Sequence, residues 1–193
     1  MSVVIINYNA GNVQSVTYAL QRLGVEPVLS DDPETIRSAD KVIFPGVGEA
    51  STAMKFLKER QLDEVIRGLK QPVFGVCLGL QLMCNHSEEN DTECLGIFDV
   101  QGKKFEPLLK VPQMGWNNLE SMSSDLFIGL PEEPYVYYVH SYYAELSEWT
   151  VAETEYVNRF SAALQKDNFY ALQAHPEKSG KVGEQILANF LKL

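Results

Sequence analysis

Positive charge is scarce in this chain: 16 Lys and Arg stand against 26 Asp and Glu, a formal net charge of −10 at pH 7. Neutralising a phosphate backbone takes clustered Lys and Arg, so nucleic-acid binding is not expected. Long apolar runs are missing as well. No stretch is long enough to span a bilayer, and no basic start followed by an apolar run opens the chain, so a cytoplasmic protein with no membrane partner is expected. Cysteine is down to three residues, Cys77, Cys84 and Cys94, an odd number that makes no disulfide framework. No Cys/His set has zinc-ligand spacing, so no metal is expected, and Cys84 and Cys94 are read as structural. Repeats, low-complexity tracts and linkers are absent too. Residues 1–193 therefore read as one domain, with 45% hydrophobic content supplying a core large enough to hold a rigid site.

What is present is an alternation of strands and helices. Val3 to Ile6 is continuously apolar, as in a parallel strand buried on both faces, and small or polar residues follow it. Val13, Val16, Leu20 and Leu23 repeat at helical spacing with Gly24 as the stop, and residues 25–29 resume the sheet. Lys41 to Phe44 and residues 72–74 read as further strands, each followed by a helical stripe. After about Leu95 the pattern changes to short strand-like runs at residues 135–139, 150–155, 162–165 and 169–172, which should extend or cover the sheet in antiparallel fashion. An amphipathic helix with Ser179 as candidate cap closes the chain. The expected fold class is α/β: a doubly wound, mainly parallel sheet with flanking helices and additional antiparallel strands in the second half, with ligands at the carboxyl ends of the strands.

The most informative stretch is Gly75-Val76-Cys77-Leu78-Gly79. It sets a thiol between two glycines where a buried strand turns into a helix, the logic of a nucleophile elbow with sulfur in place of oxygen. Unpaired N–H groups and the positive dipole end of a helix favour a thiolate, which is the nucleophilic form. A buried core cysteine could sit in the same stretch, so the thiol needs a partner. Gln173-Ala174-His175-Pro176-Glu177 supplies one. An imidazole can take the thiol proton and hand it to a leaving amine, while a carboxylate on the other ring nitrogen fixes its tautomer. Cys77, His175 and Glu177 are the candidate triad. His86 and His140 are assigned no chemistry.

Pro45-Gly46-Val47-Gly48 also joins a strand to a helix, and it fails as a phosphate cradle. The third glycine of the dinucleotide pattern and the G-K-[ST] ending of a P-loop are both missing, and Glu49 would oppose a phosphate at the helix start. Two glycines around one residue do let a peptide point its N–H at a small substrate. The amides of Val47 and Leu78 are therefore the expected oxyanion donors, and no cofactor is expected.

Together, Pro45 to Gly48, Gly75 to Gln81 and His175-Pro176-Glu177 resemble the class I (triad) glutamine amidotransferases. More narrowly, residues 8–12 with Ser15 and Val16, Met114-Gly115-Trp116-Asn117, and His140-Ser141-Tyr142 look like the glutaminase subunits of imidazole glycerol phosphate synthases, across essentially the whole chain. The resemblance implies hydrolysis of glutamine and passage of ammonia to a (β/α)₈ cyclase in a heterodimer, where imidazole glycerol phosphate and aminoimidazole carboxamide ribotide are formed in histidine biosynthesis. It implies Cys77 as nucleophile, His175 as base and then acid, and Glu177 as its orienter. Gln81 and Glu89 would hold the amino-acid end of glutamine, with Gly46, Gly48, Ser141 and Tyr142 closing the pocket. Asn12, Trp116, Asn117, Tyr137 and Lys178 become interface or ammonia-gate residues.

The resemblance also implies weak glutaminase activity until the partner is loaded; a physical route to it is a Gly46-Val47-Gly48 peptide that can rest with its N–H turned away from the oxyanion, partner contacts favouring the inward state. Three positions depart from the pattern: Gln113 stands where histidine is expected, and Asn7 and Asn9 replace Asp and Gly. They bear on interface detail and loop conformation and leave the triad intact. Glutaminase subunits serving anthranilate, GMP or pyridoxal phosphate formation share the triad; a silent scaffold would lack one of its members, and a stand-alone cysteine peptidase would not respond to glutamine.

Overall fold

The computed structural model describes residues 1–8 and 11–193; the departure at Asn9 lies outside the described residues. Among the described residues one large sheet runs in the order β2 (Val28–Ser30), β1 (Val3–Ile6), β3 (Lys41–Phe44), β4 (Val73–Val76), β13 (Phe169–Leu172), β12 (Asn158–Lys166), β10 (Tyr142–Ala144), β7 (Gln101–Lys104), β5 (His86–Ser87), β6 (Thr92–Glu93), with β11 (Thr150–Tyr156) also pairing β12. From β2 to β13 every pairing is parallel. β12 and β10 then continue it antiparallel, and β8 (Gln113–Asn118) with β9 (Tyr135–His140) forms a separate two-stranded ribbon.

Continuous apolar composition explains why β1, β3 and β4 lie inside: all residues of each are buried, with helices on both faces. Helices α2 (Pro33–Ser38), α3 (Ala50–Glu59), α4 (Leu62–Arg67) and α5 (Leu78–Met83) cover one face, packing Ile36, Leu57, Ile66 and Leu80 against Val42 and Phe44. The other face is covered by α1 (Val13–Arg22), α6 (Gly180–Lys192) and the β8–β9 ribbon, with Leu20, Phe190 and Tyr138 against Ile43 and Phe74. Among the described residues no helix is long and apolar enough to cross a membrane.

The run at residues 169–172, expected to join in antiparallel fashion, pairs β4 in parallel and only β12 antiparallel, because it lies between the parallel and antiparallel parts of the sheet. Two further expectations shift. The strand expected at residues 25–29 is confined to β2, because Val25 N–H is still bonded to the Leu20 carbonyl at the end of α1 and Pro27 has no N–H to give. Ser179 does stand at the start of α6, but its hydroxyl caps nothing there.

Candidate active site

Cys77 lies 96 residues from Gln173, yet the sheet sets β4 and β13 side by side. Their parallel register pairs Val76 with Leu172, and Cys77 N–H extends the ladder to the Leu172 carbonyl at 2.8 Å. Two parallel neighbours end at the same edge, so the residues that follow them, Cys77 and His175, converge at one cleft. That cleft, about 320 Å³, is lined by Val47, Gly48, Leu78, Gln81, Glu89, Ser141, Tyr142 and Lys178 as well.

Cys77 carries the strain of the turn on its own backbone, φ 53° and ψ −105°, a conformation that costs a non-glycine residue on the order of 1–3 kcal/mol. Neither flanking glycine has a positive φ; what both supply is space. A Cβ on Gly79 would lie 2.0 Å from the Phe44 carbonyl oxygen, so only glycine lets α5 sit on the end of β3.

His175 is 1% exposed, and its Nδ1–H donates to Glu177 Oε1 at 2.8 Å. His175 Nε2 and Glu177 Oε2 are buried without a hydrogen-bond partner, as suits groups awaiting a reaction. Burial by itself would lower the His175 pKa; Cys77 and Glu177 outweigh it and raise the value above the ordinary one. The sulfur meanwhile lies 3.8 Å from the Val139 carbonyl and 3.7 Å from Gln173 Nε2. Gln173 was given no role in the sequence. Completely buried, it also accepts from Gln81 Nε2 at 3.2 Å, so it links the nucleophile to the expected glutamine-binding residue. A polar residue at the exit of a buried strand, two before the histidine, was the available signal.

Gln81 spends its N–H donors on Gln173 and on the Tyr142 carbonyl at 3.0 Å, leaving its own carbonyl oxygen for an ammonium. Glu89 accepts from Ala50 N–H at 2.7 Å, and burial, only partly offset by that bond, pushes its pKa up. One carboxylate thus joins the cleft wall to the start of α3. At the oxyanion loop, Leu78 N–H donates to the Gly46 carbonyl at 3.3 Å. Gly46 itself lies beneath the cleft, where a Cβ would fall 2.1 Å from the Tyr8 hydroxyl.

The five expected interface or gate residues divide. Trp116 and Tyr137 meet edge-on at 5.8 Å on the outward face of the β8–β9 ribbon, beside exposed Met114 and Tyr135, and Lys178 is exposed at the cleft rim. Asn12 and Asn117 use their amides within the chain. Asn117 donates to the Glu155 carbonyl at 3.0 Å, and Asn12 donates to Glu177 Oε1, the same oxygen that holds His175. Each of these amides is thus held by an acceptor of its own chain, part-buried for Asn12 and exposed for Asn117.

Gln113, where histidine was expected, sits 2.8 Å from His140 Nε2, while His140 Nδ1–H donates to the Tyr142 carbonyl at 2.7 Å. Burial lowers the His140 pKa to about 4, so the ring is neutral. Gln113 places its Oε1 at Nε2, and because a neutral ring that donates from Nδ1 must accept at Nε2, the carboxamide has to turn over and present its NH₂ there. Burial also pushes the Cys84 and Cys94 thiols up, the latter to about 12, in keeping with structural residues.

Comparison with known proteins adds to this geometry. Residues 4–193 match the family described as "Glutamine amidotransferase class-I". The "Imidazole glycerol phosphate synthase subunit HisH" of Bacteroides thetaiotaomicron is 60% identical, with each chain covered completely, and that of Yersinia pseudotuberculosis is 45% identical with the same coverage. The crystal structure of a glutamine amidotransferase from Thermotoga maritima superimposes with a TM-score of 0.66 at 17% identity, covering 100% of this chain and 83% of that one, a likeness of fold.

Proposed function

The chain belongs to the class I glutamine amidotransferases, and from that membership we propose how its residues divide the work of releasing ammonia. Its function is that of the glutaminase subunit of imidazole glycerol phosphate synthase, in histidine biosynthesis. Glutamine is the substrate and a cyclase subunit is the partner. We further propose a cytoplasmic heterodimer with a (β/α)₈ cyclase, in which residues 1–193 form one amidotransferase domain.

The observation that carries the residue assignment is the convergence of Cys77 and His175 beyond adjacent parallel strands. The Cys77 thiolate attacks the side-chain carboxamide carbon of glutamine, and a C–S bond forms as the carbonyl electrons move to oxygen. His175, protonated and oriented by Glu177, gives its proton to the leaving nitrogen, and ammonia departs as the C–N bond breaks. Water, its proton taken by His175, then attacks the γ-glutamyl thioester, and glutamate leaves with the thiolate restored. Glu89 and the Gln81 carbonyl oxygen hold the substrate ammonium, while Gly48, Ser141 and Tyr142 shape the pocket.

Stabilising the oxyanion requires a rearrangement. The Gly46 carbonyl now occupies Leu78 N–H, one of the two expected donors. Rotation of the Gly46–Val47 peptide would free that donor and bring Val47 N–H inward in the same movement. That rotation turns ψ of Gly46 and φ of Val47, so the freedom it needs at its first end is supplied by glycine. Docking of the cyclase on the Trp116–Tyr137 face is the proposed trigger, with Lys178 at the path by which ammonia leaves.

A glutamine-analogue electrophile tests the assignment. Modification of Cys77, abolished by Cys77→Ala, is expected, together with glutamate release that rises when the cyclase and its ribonucleotide substrate are added. Labelling elsewhere, or amine release from peptides without response to glutamine, would refute it.

A further inference from the structure

Helix α6 begins without the side-chain cap that its sequence offers. Serine is among the best N-cap residues, yet Ser179 bonds to none of the first-turn amides. Its hydroxyl is committed elsewhere. Oγ accepts from Tyr137 N–H at 2.9 Å and donates to the His175 carbonyl at 2.6 Å, while His175 N–H donates to the Tyr137 carbonyl at 2.9 Å. Tyr137 is thereby tied to the backbone of His175 through both of its main-chain polar groups, once directly and once through the hydroxyl. Ser179 is 2% exposed, so water cannot replace either bond.

The packing around this hydroxyl leaves it little freedom. A Cβ on Gly183 would fall 2.8 Å from the Ser179 Cβ and 1.9 Å from the Pro176 carbonyl oxygen, so α6 presses on the His175–Ser179 turn. Lys178 N–H donates to the same His175 carbonyl at 3.0 Å, so the turn that carries Lys178 closes on the atom that Ser179 holds. On the far side of the clamp, the Tyr137 ring meets Trp116 on the exposed face of the β8–β9 ribbon.

We propose that Ser179 is a positioning residue that locks the backbone of His175 to β9, so that the reach of the imidazole toward Cys77 is set by the ribbon carrying Trp116 and Tyr137. The inference rests on the reading of His175 as base and of that ribbon as the cyclase-docking face. Movement of β9 on docking then reaches His175 without passing through the oxyanion loop. Capping strength in α6 is given up for that connection.

The test compares wild type, Ser179→Ala, Ser179→Thr and Ser179→Cys, each assembled with the cyclase and its ribonucleotide substrate. Loss of the hydroxyl should lower kcat for glutamate release roughly 10- to 100-fold with KM for glutamine little changed, the scale expected for a misplaced reacting group. Ser179→Thr, which keeps the hydroxyl, should restore most of the rate. Full kcat in Ser179→Ala, or a loss confined to KM, would overturn the proposal. Should the alanine chain fail to fold, the nearly isosteric Ser179→Cys keeps the packing and weakens both bonds; full kcat there overturns it equally.

A second readout is independent of glutamine. The chain has three histidines, so NMR titration of ¹⁵N-labelled imidazoles can follow each. The His175 titration should move in Ser179→Ala while His86 stays; an unmoved His175 refutes the clamp. Absence of glutamate release by the wild-type complex would instead refute the assigned function, and the titration would still decide the role of Ser179.

Discussion

Acidification should unfold this protein through a histidine that takes no part in the chemistry. His140 is 5% exposed, bonded at both ring nitrogens, and held neutral by burial. Its folded pKa of about 4 lies below the ordinary 6.5, so the associated stability is fully present above pH 6.5 and is lost as the pH falls toward 4, where the unfolded chain binds a proton that the folded one refuses. The full difference is worth roughly 3 kcal/mol at about 1.36 kcal/mol per pH unit, and about 2 kcal/mol of it falls between pH 6.5 and 4.5. Against a typical total of about 5–15 kcal/mol that loss is readily measured.

Of the neighbouring groups, Glu89 has a raised value and acts in the same window with the opposite sign, equally in wild type and variant, while the others separate. The His175 value is raised, so its contribution is fully present below 6.5 and is lost only as the pH climbs through the alkaline range. Asp32, Asp40, Glu49 and Glu88 have lowered values and exert their effect mainly below the ordinary carboxylate range. Urea unfolding followed by circular dichroism at pH 6.5, 5.5 and 4.5, for wild type and His140→Gln, isolates the histidine. Glutamine can still meet Gln113 and the Tyr142 carbonyl but does not titrate. The variant should lose the acid slope, and equal slopes in the two proteins would refute the reasoning.

Gly79→Ala should destabilise the fold, because the added methyl meets the Phe44 carbonyl oxygen at 2.0 Å and backbone has to move. An overpacking cost of about 1–3 kcal/mol corresponds to a fall in Tm of roughly 3–9 °C, read by calorimetry, and an unchanged Tm would contradict the packing argument. Asn12→Ala removes a donor from the Glu177 oxygen that orients His175, so kcat for glutamate release in the complex should fall about tenfold or more, the scale of a hydrogen bond to a charged group. Steady-state kinetics that showed only weaker cyclase binding would return Asn12 to the interface.

Much of the candidate site was legible because its signals are local. Gly75 to Gly79 and His175 to Glu177 are short motifs whose residue types carry their own chemistry, and the apolar runs of β1, β3 and β4 announce burial on both faces. Less legible were side chains whose partners are remote. Asn12 read as an interface residue because nothing nearby in the chain shows that Glu177 will meet it, 165 positions on. Ser179 read as a cap because capping is what a serine before a helix ordinarily does; its actual partners stand on β9 and at His175. Gln173 drew no notice because a buried glutamine is identified by its surroundings.

The amino-acid sequence by itself determined the alternation of strands and helices and the chemistry on offer at positions 77, 175 and 177, since each follows from a residue and its near neighbours. Only the tertiary structure decided that β13, late in the chain, inserts beside β4 in parallel, which is what brings sulfur and imidazole to one edge. Strand order is settled by which buried faces pack best across the whole sheet, and no local pattern encodes that comparison.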